Sequence, residues 1–105
     1  MSVVVRVSII HCKPEAFAEL RGMMVAAMAP LESGIAKMRG LVHFYAGADE
    51  ATSSLNNVSV WASLEDAKQL DTFQPMLDLG REFVAKGAVF ERPIMNYETL
   101  WELPR

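Results

Sequence analysis

The chain has 105 residues, 51% hydrophobic and 22% charged, with a formal net charge of −3 and one cysteine. That length suits one domain over residues 1–105, and an acidic chain with scattered lysines and arginines excludes the basic footprint of a nucleic-acid binder. No apolar run approaches the roughly 20 residues that span a bilayer, no signal peptide is recognisable at the start, and a lone cysteine rules out an internal disulfide, so a reducing cytoplasmic setting is expected.

Val3–Ile10 is rich in β-branched residues and reads as a first strand. Pro14 suits the first position of a helix, and Glu15 lies at the positive end of its dipole. Phe17, Leu20, Met24, Ala27, Met28 and Leu31 then recur at spacings of three and four, making one apolar stripe. Pro30 is expected to kink or end this helix, with Ser33-Gly34 reinforcing the stop and one short turn over Ile35–Met38. Gly40 marks the turn into a second strand, Leu41–Ala46. A polar connection over Gly47–Asn56 leads to a third strand, Asn57–Ala62. Ser63 is a natural N-cap, with Asp66 completing an imperfect capping box. The second helix runs from about Leu64 to Lys86, broken near Gln74-Pro75, and stops at Gly87. A fourth strand lies within Val89–Leu103, where Pro93 delays it or holds it at an edge.

The order β-α-β-β-α-β predicts an α+β, ferredoxin-like domain: a four-stranded antiparallel sheet with two helices on one face. The strands do not alternate cleanly between apolar and polar. In the first, Val3, Val5, Val7 and Ile9 share one face, while Val4 and Ile10 flank Arg6 and Ser8 on the other. Two helices cover only one face of a sheet, so the remaining apolar surface calls for a partner, most simply a second copy of the chain.

The strand-to-helix junction Val58-Ser59-Val60-Trp61-Ala62-Ser63-Leu64-Glu65-Asp66-Ala67 resembles the strand-Trp-x-Ser-x-Glu-x-Ala junction of the dimeric α+β barrel superfamily, in its antibiotic-biosynthesis-monooxygenase-like branch. The resemblance covers nearly the whole chain through element order. It implies a homodimeric barrel and a cofactor-independent monooxygenase-like protein acting on a small aromatic or polyketide-like compound. The alternative is a non-catalytic binding or dimerisation module of the same fold. Asn57 and Trp61, four apart on a strand, share a face and resemble an Asn/Trp pair thought to hold a phenolic substrate in the quinone-forming oxygenases. That family's tyrosine corresponds to Ala67, and its histidine falls near Leu70. The haem-degrading pattern finds Val5, Leu70 and Gly80 where it needs an asparagine, a tryptophan and a ligating histidine, so no haem is expected.

Each candidate also has a plainer reading. Trp61 is read first as a core residue plugging the junction, and second as a platform for an aromatic ligand. Asn57 polarises a ligand carbonyl or satisfies loop backbone. His43 and Tyr45 share a strand face and are read as polar contacts of the cleft, His43 being more simply a structural histidine. Adjacent residues on a strand point apart, so His11 and Cys12 do not make a catalytic pair. Methionines 23, 24, 28 and 76 suggest an adaptable apolar pocket or ordinary core filling. No His/Cys/Asp/Glu set has a metal spacing and no phosphate loop is visible, so neither metal nor cofactor is expected, and no catalytic residue is assigned.

Overall fold

The computed structural model describes residues 3–104; the reading of the chain's start includes two residues that lie outside these. Five strands and three helices follow in order: β1 (Val4–His11), α1 (Pro14–Ala36), β2 (Leu41–Asp49), β3 (Ser54–Trp61), α2 (Leu64–Ala67), α3 (Gln74–Ala85), β4 (Val89–Phe90) and β5 (Met95–Glu98). A 3-10 turn over Lys68–Thr72 joins α2 to α3. The antiparallel sheet is ordered β2-β3-β1-β4, and β5 continues along the same edge of β1. This is the ferredoxin-like α+β architecture that the element order predicts.

Several local expectations change. Pro30 lies inside α1, which continues to Ala36. The apolar stripe explains why: Ala27 before the proline and Leu31 and Ile35 after it are all buried in one cluster. Burying Leu and Ile contributes about 1.5–3 kcal/mol each, enough to offset the roughly 3 kcal/mol cost of an interior proline. Met28, read into that stripe, is instead 66% exposed.

The expected polar connection over 47–56 is mostly strand. Residues β2 and β3 form a hairpin from Leu41↔Trp61 to Asp49↔Ser54, closed by a turn in which Ser53 has a φ of 49°. Pairing across the hairpin satisfies the backbone of these polar residues, which their side chains alone do not reveal. A bulge between Leu41 and His43 also puts Leu41 on the same face as Phe44, where alternation separates them.

The last strand is split. β4 pairs with the end of β1, β5 with its beginning, and Pro93 lies between them. The second helix is split as expected: Phe73 adopts an extended conformation before Gln74-Pro75. Ser63 caps α2 by accepting the N–H of Asp66 at 3.1 Å.

The helices pack on the face of β1 that carries Val4, Arg6, Ser8 and Ile10. Two apolar clusters form there. Ile10, Leu55, Phe17, Leu20 and Phe83 make one; Trp61, Ala27, Leu31, Ile35 and Leu70 make the other. Between them the strand register sets Arg6 beside Ser59 and Ser8 beside Asn57. The core is therefore crossed by four polar residues at the centre of the sheet.

Candidate functional site

Three of the four, Arg6, Ser8 and Asn57, line openings that the helices leave over the sheet, and Ser59 is buried beneath them. The first, of about 650 Å³, lies between α1 and the β2–β3 hairpin. Met24, Val25, Met28 and Leu31 form its helical wall, and Phe44, Ala46, Leu55 and Asn57 its sheet wall. The second, of about 570 Å³, lies over β1, between α3 and the segment that links β4 to β5, and is lined by Arg6, Ser8, Asn57, Asp71, Arg81, Phe90 and Arg92 among others. Asn57 and Met76 line both.

Asn57 is half-buried, and its side-chain Oδ1 is buried without a hydrogen-bond partner. A buried amide oxygen left unpaired costs about 1–3 kcal/mol. A donor brought within hydrogen-bond reach of Oδ1 would recover that energy. Arg6 is 5% exposed, and its Nη2 donates to Asp71 Oδ1 at 3.0 Å. Asp71 itself is 55% exposed, so the pair runs from the interior to the rim.

Trp61 is 0% exposed. Its Nε1 donates to Ser59 Oγ at 2.8 Å, and its ring packs with the second apolar cluster. It lines neither opening. A stacking contact with a ligand would need the cluster to open.

His43 and Tyr45 do not join Asn57. Tyr45 pairs with Val58, while Asn57 pairs with Ala46, so the pleat turns Tyr45 and His43 to the sheet face away from the helices. Their rings stack there with centroids 5.7 Å apart. The four candidate residues thus separate into Asn57 at the openings, Trp61 beneath them and His43 with Tyr45 across the sheet. Ala67 and Leu70, where the resembled oxygenases carry tyrosine and histidine, are buried and apolar.

His11 pairs with Glu91, and the Cys12 thiol lies 3.4 Å from the carbonyl of Ser53, so the two neighbours do point apart. Burial pushes the Cys12 thiol up from its ordinary pKa, and the negative charge of Glu15 adds to the effect. Among the described residues no group of three His, Cys, Asp or Glu side chains is placed to hold a metal ion, and no helix is long and apolar enough to cross a membrane.

Arg6 and Ser8 lie outside the residues to which the strand pattern and the resemblance point. The signal was present: a charge and a hydroxyl on alternate positions of a valine-rich strand. Nothing local shows which face the helices cover.

The ferredoxin-like sheet with its helices is a fold shared with solved structures of antibiotic-biosynthesis-monooxygenase-like proteins. The chain is similar to a Deinococcus radiodurans protein provisionally named an antibiotic biosynthesis monooxygenase (TM-score 0.73, 13% identity, 95% of each chain covered). It is also similar to SnoaB, a cofactor-independent oxygenase from Streptomyces nogalater (TM-score 0.63, 17% identity, 100% of each chain). A Nitrosomonas europaea protein, again provisionally named an antibiotic biosynthesis monooxygenase, matches with a TM-score of 0.68 and 14% identity over 94% of this chain and 91% of its own. No family model matches the sequence, and no curated protein matches it significantly.

Proposed function

We propose that this protein is a cofactor-independent monooxygenase of small planar phenolic compounds, bound in the opening between α1 and the β2–β3 hairpin. The observation that carries this reading is the unpaired Asn57 Oδ1 beside an otherwise largely apolar cavity of about 650 Å³. An apolar enclosure with few polar groups suits a small aromatic molecule. A phenolic O–H donates to Asn57, the methionines and Phe44 enclose the ring, and the amide sets its orientation.

The chemistry then belongs to the substrate. An activated ring methylene releases a proton to water at the cleft mouth, and the stabilised carbanion transfers electrons to dioxygen. A carbon–oxygen bond forms, the hydroperoxide loses water, and the methylene has become a carbonyl. One oxygen atom enters the product; the other leaves as water with both methylene hydrogens. The substrate supplies all the electrons, so the balance requires no flavin, haem or metal.

The same reading takes residues 1–105 as one domain acting in the cytoplasm as a homodimer. Strand register supports the dimer. On the face away from the helices, Tyr45, Val58, Val7 and Met95 form one row across four strands, and His43, Val60, Val5 and Tyr97 form the next. Tyr45, Met95 and Tyr97 are each about half exposed in the single chain. A second copy laid face to face buries both rows.

A second reading, a binding module without turnover, is favoured by Ala67 and Leu70, which provide no proton-transfer group. One experiment separates the two. Hydroxyanthrones are titrated anaerobically for binding, then exposed to oxygen and followed for quinone. Wild-type protein is expected to bind and turn over. Asn57→Ala, with folding checked by circular dichroism and melting, is expected to lose both. Binding without quinone would establish the module; no binding by any compound would end both readings.

A further inference from the structure

The second opening, over β1, has a different character. Three guanidinium groups, from Arg6, Arg81 and Arg92, line it with one carboxylate, Asp71, in a chain whose net charge is −3. Two are held from outside. Arg81 donates to Asp78 on its own helix, and Arg92 lies over the Phe90 ring and donates to the Glu91 carbonyl. Arg6 is different: it projects from the centre of the sheet and is nearly fully buried. Of its five N–H donors, the one with an acceptor among the described residues is Nη2, bonded to Asp71. Burying a guanidinium with one monodentate partner is unfavourable, because desolvation exceeds what a single rim contact returns. A planar anion that engages the fork in two places would complete it.

We infer that this opening holds the carboxylate of a hydroxyaromatic acid, with Arg6 as its anchor and Asn57 accepting its hydroxyl. The inference rests on the proposed binding of a phenolic ring beside Asn57 and names the class of ligand more closely. Asn57 lines both openings, so one ligand can keep its hydroxyl on Asn57, where the openings meet, with its acid group over Arg6. Ser8, paired with Asn57 in the strand register and 4% exposed, provides a further hydroxyl beside the acid group. Asp71 occupies the fork in the free protein, and its exposed position lets it swing aside.

Calorimetric titration with 6-hydroxy-2-naphthoate and 2-naphthol, which differ only by the carboxylate, tests this. The naphthoate is expected to bind at least tenfold more tightly to the wild-type protein. Arg6→Met keeps the length and apolar stem of the side chain and should reduce the naphthoate to the level of 2-naphthol. Because a core substitution can unfold the chain, Asp71→Asn provides a second, surface test: removal of the competing carboxylate should tighten the naphthoate several-fold and leave 2-naphthol unchanged. Equal binding of both probes by wild type, or a carboxylate preference that survives in folded Arg6→Met, overturns the inference while leaving phenol binding intact. Failure of both probes to bind overturns the inference and the phenolic reading together. A naphthoate affinity unmoved or weakened by Asp71→Asn also counts against it.

Discussion

The indole N–H of Trp61 donates to the hydroxyl of Ser59 at 2.8 Å, two residues back on the same face of β3. Both residues are buried, so this bond satisfies the polar atom of the largest side chain in the core. Trp61→Phe removes the donor, leaves Ser59 Oγ without it, and opens a small cavity. A loss of about 1–3 kcal/mol is expected from the unpaired group and the lost packing. Urea denaturation measures it, and an unchanged midpoint would show that the indole is not a core anchor.

Gly40 turns the chain into β2 with a φ of 76°, beside the Asp66 carboxylate that accepts Arg39 Nε at 2.7 Å. An alanine there pays about 1–2 kcal/mol for the left-handed conformation and also pushes its Cβ into Asp66. Removal of the nearby cap by Ser63→Ala costs about 1 kcal/mol. Melting temperatures should fall in the order wild type, Ser63→Ala, Gly40→Ala. The reverse order of the two variants would refute the role given to Gly40.

Pro30 is exposed and interrupts the hydrogen-bond ladder of α1 without ending the helix. Pro30→Ala restores one backbone donor and is expected to stabilise the protein by about 1–3 kcal/mol. Thermal unfolding with helicity monitored by circular dichroism checks this. A lower melting temperature would mean that α1 needs the bend for its packing.

The paired rows on the outer sheet face predict a dimer. Val7 sits in the middle of one row, between Val58 and Met95. Light scattering should give twice the chain mass at micromolar concentration, and Val7→Asp should give a folded monomer. A wild-type protein that stays monomeric, or a Val7→Asp variant that remains dimeric, removes this interface.

Cys12 makes a prediction about pH. Its folded pKa lies above the ordinary 9.0, so the native state holds the proton more tightly than the unfolded chain. Stability from this group is unaffected below about pH 9 and falls as pH rises through the folded value. Cys12→Ser should flatten that alkaline decline and leave the mass unchanged. A thiol that reacts with Ellman's reagent at neutral pH as fast as free cysteine would contradict the raised value.

Much of the architecture could be read from local signals. Pro14, Gly40, Ser63 and Gly87 mark element ends through backbone geometry and capping, which act within a few residues. Pro30 misled because the burial that overrides it depends on residues distant in sequence. The Glu50–Ser53 turn was hidden for the same reason: pairing partners, rather than side-chain polarity, make Gly47–Asn56 largely strand.

The site was less legible. Alternation by itself separates Arg6 and Ser8 from Val5 and Val7, and puts Asn57 on the face of Trp61. What alternation leaves undecided is which face the helices cover, because α1 and α3 choose it through their own apolar stripes. The tertiary structure set Arg6, Ser8, Asn57 and Ser59 together beneath the helices, buried Trp61 and turned His43 and Tyr45 outward. The periodicity of one strand is a local property, whereas the burial of a charge or an indole depends on every element packed against it.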